Sequence, residues 1–584
     1  MTNALSRALG WAAAAAIIAG ALALRLPHLD QRPMHGDEAN QAVRTGLLLD
    51  QGFYHYDPAD HHGPTLYFAA WPFCRATART FAETTEWNYR LVPVAFSLIT
   101  LLMMLGLGPR ANGCGLFANR AGLYGAALLT AASPAMTYYS RFFIQESMLL
   151  TFLTGMLLCA VRYVAALCTP EVRGQRSEVR GQRSEVRDPQ SAIGNRQSAT
   201  CNQQPVTCNP KLVTCNQQPK TLFWAAGFGA FAGLAAATKE TAVLSFAAAA
   251  VALVAACGFG RLRRAWRTRD ALVAVGAAAL VAVLFYSSFF TYPRGVYDAL
   301  FSTFQTYHTR ATAVPEHQHP WNFYFKIIFW FKYGRGPVWS EAGLLLPAAL
   351  AAGLAFLPFR HQGNADAATL TRRRWVRFLS VYTLVLTALY SAIPYKTPWC
   401  ALSFLHGFIL LAGAGVGACW TACSRTDAKE AAIAFAPLRL CGKLLVVLCI
   451  AALVWRHAAQ ACRACFKMPA DPRNPYVYAH TGSDAMNLVT EIERAARHAD
   501  GSDTLIALAV PTPDTWPLPW YLRKYRNVGY WTHVDEIPAA LQPTVVVAAA
   551  DQGDAADERF GRGKRASFFG IRPGVLLNLF VPEK

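Results

Sequence analysis

Apolar runs of nearly bilayer length recur along this chain, and they constrain its fold more than any other feature. A helix needs roughly 20 mostly apolar residues to cross a hydrocarbon core. Runs approaching that length lie at approximately 8 to 26, 90 to 108, 120 to 137, 147 to 166, 222 to 237, 241 to 258, 271 to 291, 342 to 359, 376 to 394, 399 to 420 and 440 to 456. Inside a bilayer every backbone polar group must be satisfied within the protein, so these runs predict about eleven transmembrane helices. Of the 584 residues 54% are hydrophobic and only 15% are charged, against roughly 25% charged in soluble domains. The reading is an α-helical polytopic membrane protein. The first run follows a head carrying Arg7 and contains Ala21-Leu22-Ala23. A cleaved signal peptide could look like this, but the run's length and the many runs after it favour an uncleaved span.

The formal net charge of +20 could suggest nucleic acid, yet the arginines sit in short clusters between apolar runs, where the positive-inside rule accounts for them. Basic connections hold Arg110 and Arg120, the insert from 167 to 221, Arg261 to Arg269, Arg372 to Arg377, and Arg425 to Arg439. They alternate with the others. Placing them in the cytoplasm puts the N-terminus inside and the C-terminus outside. The outward connections then hold Asp37-Glu38, Glu146, Lys239-Glu240, residues 292 to 340, Lys396 and the C-terminal tail, so the suggestive polar groups share one face.

The insert from 168 to 221 repeats Glu-Val-Arg-Gly-Gln-Arg-Ser at 171 and 178, and Thr-Cys-Asn-Gln-Gln-Pro at 200 and 214. Polar repetitive sequence cannot bury a core, which predicts disorder. Cys201, Cys208 and Cys215 are evenly spaced through duplication, and the remaining cysteines, including the lone pair Cys462 and Cys465, form no disulfide framework or complete zinc motif. Residues 292 to 340 are aromatic-rich, with Trp321 to Lys332 expected as an interfacial helix. From about 470 to 584 the character changes. A helical period at Met486, Val489, Ile492 and Ala496 follows a Ser483/Asp484 cap, and strand-like runs lie at 504 to 510, 544 to 548 and 575 to 581. These predict a small α/β domain outside the membrane.

The polar stretches suggest chemistry. In His35-Gly-Asp-Glu-Ala39 the two adjacent carboxylates point in different directions and need not share a task. Asp37 could act as a general base or cap the helix that follows. Arg141 and Glu146 flank a turn between runs, where ionisable groups are paired or functional. Lys239, beside Glu240, and Lys396, within Tyr395-Lys-Thr-Pro-Trp399, occupy tight turns suited to a lipid phosphate; snorkelling or an aromatic belt are the plainer alternatives. His61, His62, His317 and His319 could join Asp37 or Glu146 around a divalent cation, although their spacing does not require it.

The motifs at 35 to 39, 61 to 64, 140 to 147, 238 to 240 and 395 to 399, taken in order, resemble the GT-C glycosyltransferases of the protein-O-mannosyltransferase and aminoarabinose-transferase group, glycosyltransferase family 39. The resemblance is nearest to a prokaryotic mannosyltransferase-like branch described as flippase activity-associated, and it covers residues 1 to about 456 without the insert. Glu146 departs from the Asp that the mannosyltransferases carry. The resemblance implies an integral protein of the prokaryotic cell membrane that moves a sugar from a polyprenyl-phosphate donor to an acceptor hydroxyl, on protein, glycan or lipid, at the outer face. It implies Asp37 as base, Glu38 and Glu146 as assisting or ordering acids, and Arg141, Lys239 and Lys396 as phosphate ligands. His61, His62 and Tyr395 would line the pocket. A non-catalytic binder of lipid-linked sugar, or a flippase-associated accessory, is the alternative.

Overall fold

The computed structural model describes residues 2–58, 62–109, 115–167, 218–303, 305–306, 309, 317–358, 367–424 and 436–583. The repeat insert from 168 to 221, except its last residues 218–221, and His61 lie outside them. Each apolar run is helical, and among the described residues seven helices are long and apolar enough to cross a membrane, or eight if the bent pair Ala242–Cys257 and Phe259–Ala265 counts as one span. The run expected at 120 to 137 is two helices, Arg120–Ala132 and Pro134–Tyr139. Ser133 separates them because its hydroxyl accepts the Met136 N–H as an N-cap and Pro134 supplies a ready first turn. The helix expected from 222 starts at Gln218, inside the stretch assigned to the insert. The interfacial helix is shorter than expected, Phe323–Phe329, and the chain then pairs Phe331 with Trp339.

We number the helices that matter for the site. These are α1 (Thr2–Arg25), α2 (Gly36–Gln51), α3 (Glu86–Leu105), α4 (Glu146–Leu167), α5 (Gln218–Ala236), α6 (Ala242–Cys257), α7 (Ala367–Ala392) and α8 (Leu402–Ala422). Buried arginines satisfy helix ends that would otherwise leave carbonyls unbonded. Arg25 donates to the carbonyls of Ala131 and Thr130 at 2.8 and 3.3 Å.

The C-terminal part folds as a five-stranded sheet in the order β2-β1-β3-β5-β4, with β1 Ile506–Ala509, β2 Val528–Trp531, β3 Val545–Ala549, β4 Lys564–Arg572 and β5 Val575–Pro582. Strand β1 runs parallel to β2 and β3, and β5 is antiparallel to β3 and β4. The β4–β5 turn is Pro573-Gly574, with Gly574 at φ 80°, a position that favours glycine. Strands β1 and β3 are buried along their whole length, which explains why their continuous apolar runs were readable. The more exposed β2 and β4 were not. Helix Asp484–Arg497 buries Ala485, Leu488, Val489, Ile492 and Ala496. Its expected serine cap makes no side-chain bond; Asp484 instead accepts the Gly570 N–H at 2.7 Å. This part shares a core with the membrane part. Trp520 packs 5.3 Å from Tyr89 and 5.8 Å from Phe81, ring centre to ring centre.

Candidate active site

The start of α2 carries a dense, buried polar network. His35 is the N-cap residue, its ring Nδ1 accepting the Asp37 N–H at 3.1 Å. Glu38 reaches back to accept the His35 N–H at 3.0 Å, completing a capping box. The cap is therefore His35, where the sequence suggested Asp37. Asp37 occupies the first turn, where the helix dipole favours negative charge. Its side chain is 47% exposed.

Glu38, one residue on, is completely buried. Its Oε2 accepts from Arg32 at 2.7 Å, Arg90 at 2.9 Å and the His35 N–H. Its Oε1 accepts from Arg32 at 3.1 Å, Arg90 at 2.9 Å and the Phe143 N–H at 3.0 Å. Burial alone would raise the Glu38 carboxyl, but Arg32 and Arg90 outweigh it and hold the group well below the usual carboxylate range. With three donors on each oxygen, Glu38 orders its surroundings and has no lone pair left for a substrate proton. Arg90 also binds the Arg32 and Pro33 carbonyls at 2.9 and 3.2 Å, tying the 29–33 loop to α3. Sequence reasoning missed Arg32 and Arg90; an arginine in the first turns of an apolar helix was the available signal for the second.

Arg141 donates to the carbonyls of Arg25, Pro27 and His28 at 2.8, 2.7 and 2.8 Å, closing the end of α1, and lies over the Phe466 ring. It does not pair with Glu146. Glu146 opens α4 and forms a buried ion pair with Lys239 from the α5–α6 turn, each side chain 4% exposed. Lys239 also lies 3.9 Å from Cys400 Sγ. Glu240 is not the lysine's partner; it takes His62 Nδ1 at 2.8 Å. Lys396 is buried and donates to the His319 carbonyl at 3.0 Å and to the Ile393 carbonyl. The Tyr395 ring meets His317 edge-on at 4.9 Å.

Bridging contacts join these groups. Gln41, one turn after Asp37, accepts from Gln145, beside Glu146, at 3.0 Å. The Trp399 ring, next to Cys400, lies 5.8 Å from the His35 ring. Gly63 brings its backbone onto the α5–α6 turn so closely that a β-carbon there would lie 2.1 Å from the Ala237 oxygen. Among the described residues no three His, Cys, Asp or Glu side chains converge on a position fit for a metal ion.

Just inside this cluster lies an apolar cavity of about 420 Å³ between α4, α5, α6, α7 and α8. Its lining starts at Leu150, about one turn from Glu146, and includes Leu153, Phe246, Ala249, Phe378 and Tyr382.

The membrane helices and the small appended sheet together make a GT-C-like fold. Over 97% of this chain the structure resembles that of ArnT from Cupriavidus metallidurans bound to undecaprenyl phosphate, with 98% of that chain covered, 13% identity and a TM-score of 0.57. ArnT in the apo state matches equally, over 98% of both chains. The archaeal oligosaccharyltransferase AglB from Archaeoglobus fulgidus, in complex with an inhibitory peptide and a dolichol-phosphate, matches over 97% of this chain and 74% of its own, with 10% identity and a TM-score of 0.50. At such identities the likeness is one of fold. No protein-family model and no curated protein matches the sequence.

Proposed function

We propose that this chain is a membrane glycosyltransferase that moves a sugar, of the mannosyl type by sequence resemblance, from a polyprenyl-phosphate donor to an acceptor hydroxyl at the outer face. The observation that carries the reading is the buried Lys239–Glu146 pair, about one turn of α4 from an apolar cavity, with half-exposed Asp37 on the bridged helix α2. The cavity suits the first isoprene units of a lipid tail, and the lysines suit its phosphate. ArnT with undecaprenyl phosphate and AglB with dolichol-phosphate share the fold.

In the reaction the Asp37 carboxylate takes the proton of the acceptor hydroxyl as its oxygen attacks the anomeric carbon. The bond from that carbon to the phosphate oxygen breaks, its electron pair stays on the phosphate, and Lys239 and Lys396 stabilise the new charge. Displacement from the opposite face inverts the anomeric centre. Glu38 holds Asp37's helix in place, and Arg141 shapes the floor rather than reaching the phosphate. The acceptor hydroxyl belongs to a protein, a glycan or a lipid. The positive-inside pattern sets the N-terminus in the cytoplasm and the sheet outside.

The test is sugar transfer from labelled polyprenyl-phosphate-mannose by the purified protein in lipid, comparing wild type with Asp37→Asn. Loss of a general base costs about 10² to 10⁴ in rate while donor binding persists. Equal transfer by both would remove Asp37 as base. Saturable donor binding without transfer by either would leave a lipid-linked-sugar binder.

A further inference from the structure

We infer that Tyr478, in the segment joining the last apolar helix to the C-terminal sheet, positions both halves of the site: its carbonyl orients the His35 ring that caps the Asp37 helix, and its hydroxyl holds the two histidines whose carbonyls hold Lys396. The inference rests on the transferase reading for the roles of Asp37 and Lys396, but not for the geometry.

His35 Nε2 lies 2.9 Å from the Tyr478 carbonyl oxygen. A carbonyl only accepts, so Nε2 carries the ring proton and Nδ1 keeps a lone pair. That lone pair is what accepts the Asp37 N–H. The groups facing His35 are Asp37, Glu38, Arg32 and His480, with the rings of Phe142 and Trp399 around it. Burial disfavours a second proton on the ring, which would end the cap. The carbonyl is itself fixed in place. The Tyr478 N–H donates to His480 Nδ1 at 2.9 Å, and His480 Nε2 meets the Tyr138 hydroxyl at 2.7 Å, which donates to the Pro469 carbonyl at 2.6 Å.

The Tyr478 hydroxyl lies 2.7 Å from His317 Nδ1 and 3.1 Å from His319 Nε2. One phenol can donate to one ring nitrogen and accept from the other. The backbone of the same two histidines receives Lys396, its N–H at the His317 oxygen (2.9 Å) and its ammonium at the His319 oxygen (3.0 Å). One residue of the C-terminal segment thus reaches the base through its main chain and a phosphate-binding lysine through its side chain. Substitution can separate the two. Tyr478→Phe deletes the hydroxyl and spares the carbonyl; His35→Phe removes the ring nitrogens that meet that carbonyl and leaves the hydroxyl in place.

The experiment combines hydrogen–deuterium exchange with transfer kinetics on the full chain in lipid nanodiscs, using polyprenyl-phosphate-mannose. Tyr478→Phe should speed exchange in 317–319 and 395–397, leave the first turn of α2 protected, and raise the donor KM about fivefold with kcat little changed. His35→Phe should speed exchange in the first turn of α2 about fivefold and lower kcat about tenfold or more with the donor KM little changed. His35→Asn restores an acceptor for the cap and recovers the first-turn protection, but it gives up the reach to Tyr478 and recovers kcat only in part. Unchanged exchange in both segments, or equal losses of kcat and KM in both variants, overturns the inference. Exchange that responds as stated in a protein that transfers no sugar supports the positioning and sinks the transferase reading alone.

Discussion

Replacing Lys239 with methionine removes an ammonium from a site where it and Glu146 are each 4% exposed. The magnitude follows from what remains. Glu146 Oε1 loses its charged partner, and Oε2 already makes no hydrogen bond among the described residues. Breaking one side of a buried pair costs about 3–5 kcal/mol, because the remaining charge has neither water nor counter-ion. Glu146→Gln strands the lysine and should cost a similar amount. The double variant removes both charges and replaces them with groups of comparable volume, so it should recover most of the loss. The expected result is a coupling of ~2 kcal/mol or more in a double-mutant cycle, read from equilibrium unfolding in mixed micelles. Transfer assays on the same four proteins separate stability from chemistry. The double variant should be folded yet transfer almost nothing, since the developing phosphate charge has lost Lys239. Additive single effects would show that the pair is not energetically linked, and wild-type transfer by Lys239→Met would refute its role at the phosphate.

Glu38→Gln should leave Arg32 and Arg90 buried without their anion and destabilise the protein by about 3–5 kcal/mol at neutral pH. Because Glu38's folded carboxyl is held below its ordinary value, its contribution is complete above the unfolded pKa and is lost as pH falls through the lower folded value. Wild type should therefore show an acid unfolding limb that the variant lacks, and matching limbs would count against the reading. Ala249→Trp should fill the cavity and displace two methylenes of a lipid tail. At about 0.8 kcal/mol each, that raises the donor KM roughly fifteenfold, while a donor with a very short chain should be unaffected; an equal rise for both donors would exclude the cavity as a tail site. Gly63→Val should push the 62–64 backbone off the Ala237 oxygen, breaking the His62–Glu240 contact, and crosslinking between cysteines placed at 62 and 240 should fall accordingly.

The polytopic helical fold was legible because bilayer-length apolar runs have few other solutions, and the buried strands β1 and β3 because their apolar runs are unbroken. Helix ends were less legible, since they depend on partners far along the chain. That α1 ends under Arg141, and Arg120–Ala132 under Arg25, follows from contacts across more than a hundred residues. The edge strand β4 escaped notice because half-exposed strands carry a mixed pattern.

Within the site, sequence order alone placed the carboxylates, lysines and histidines in a common set of connections. It could not say which of them pair. Coulombic and hydrogen-bond partners are chosen by distance in three dimensions, and only folding put Lys239 on Glu146 instead of its neighbour Glu240. Folding likewise enclosed Glu38 between Arg32 and Arg90 while leaving adjacent Asp37 half in solvent. What the sequence determined by itself was the apolar or polar character of each segment, through hydropathy, and so which segments form the long apolar helices. The tertiary structure decided that Glu38 is enclosed and Asp37 stays half exposed, because successive residues on a helix turn to different environments.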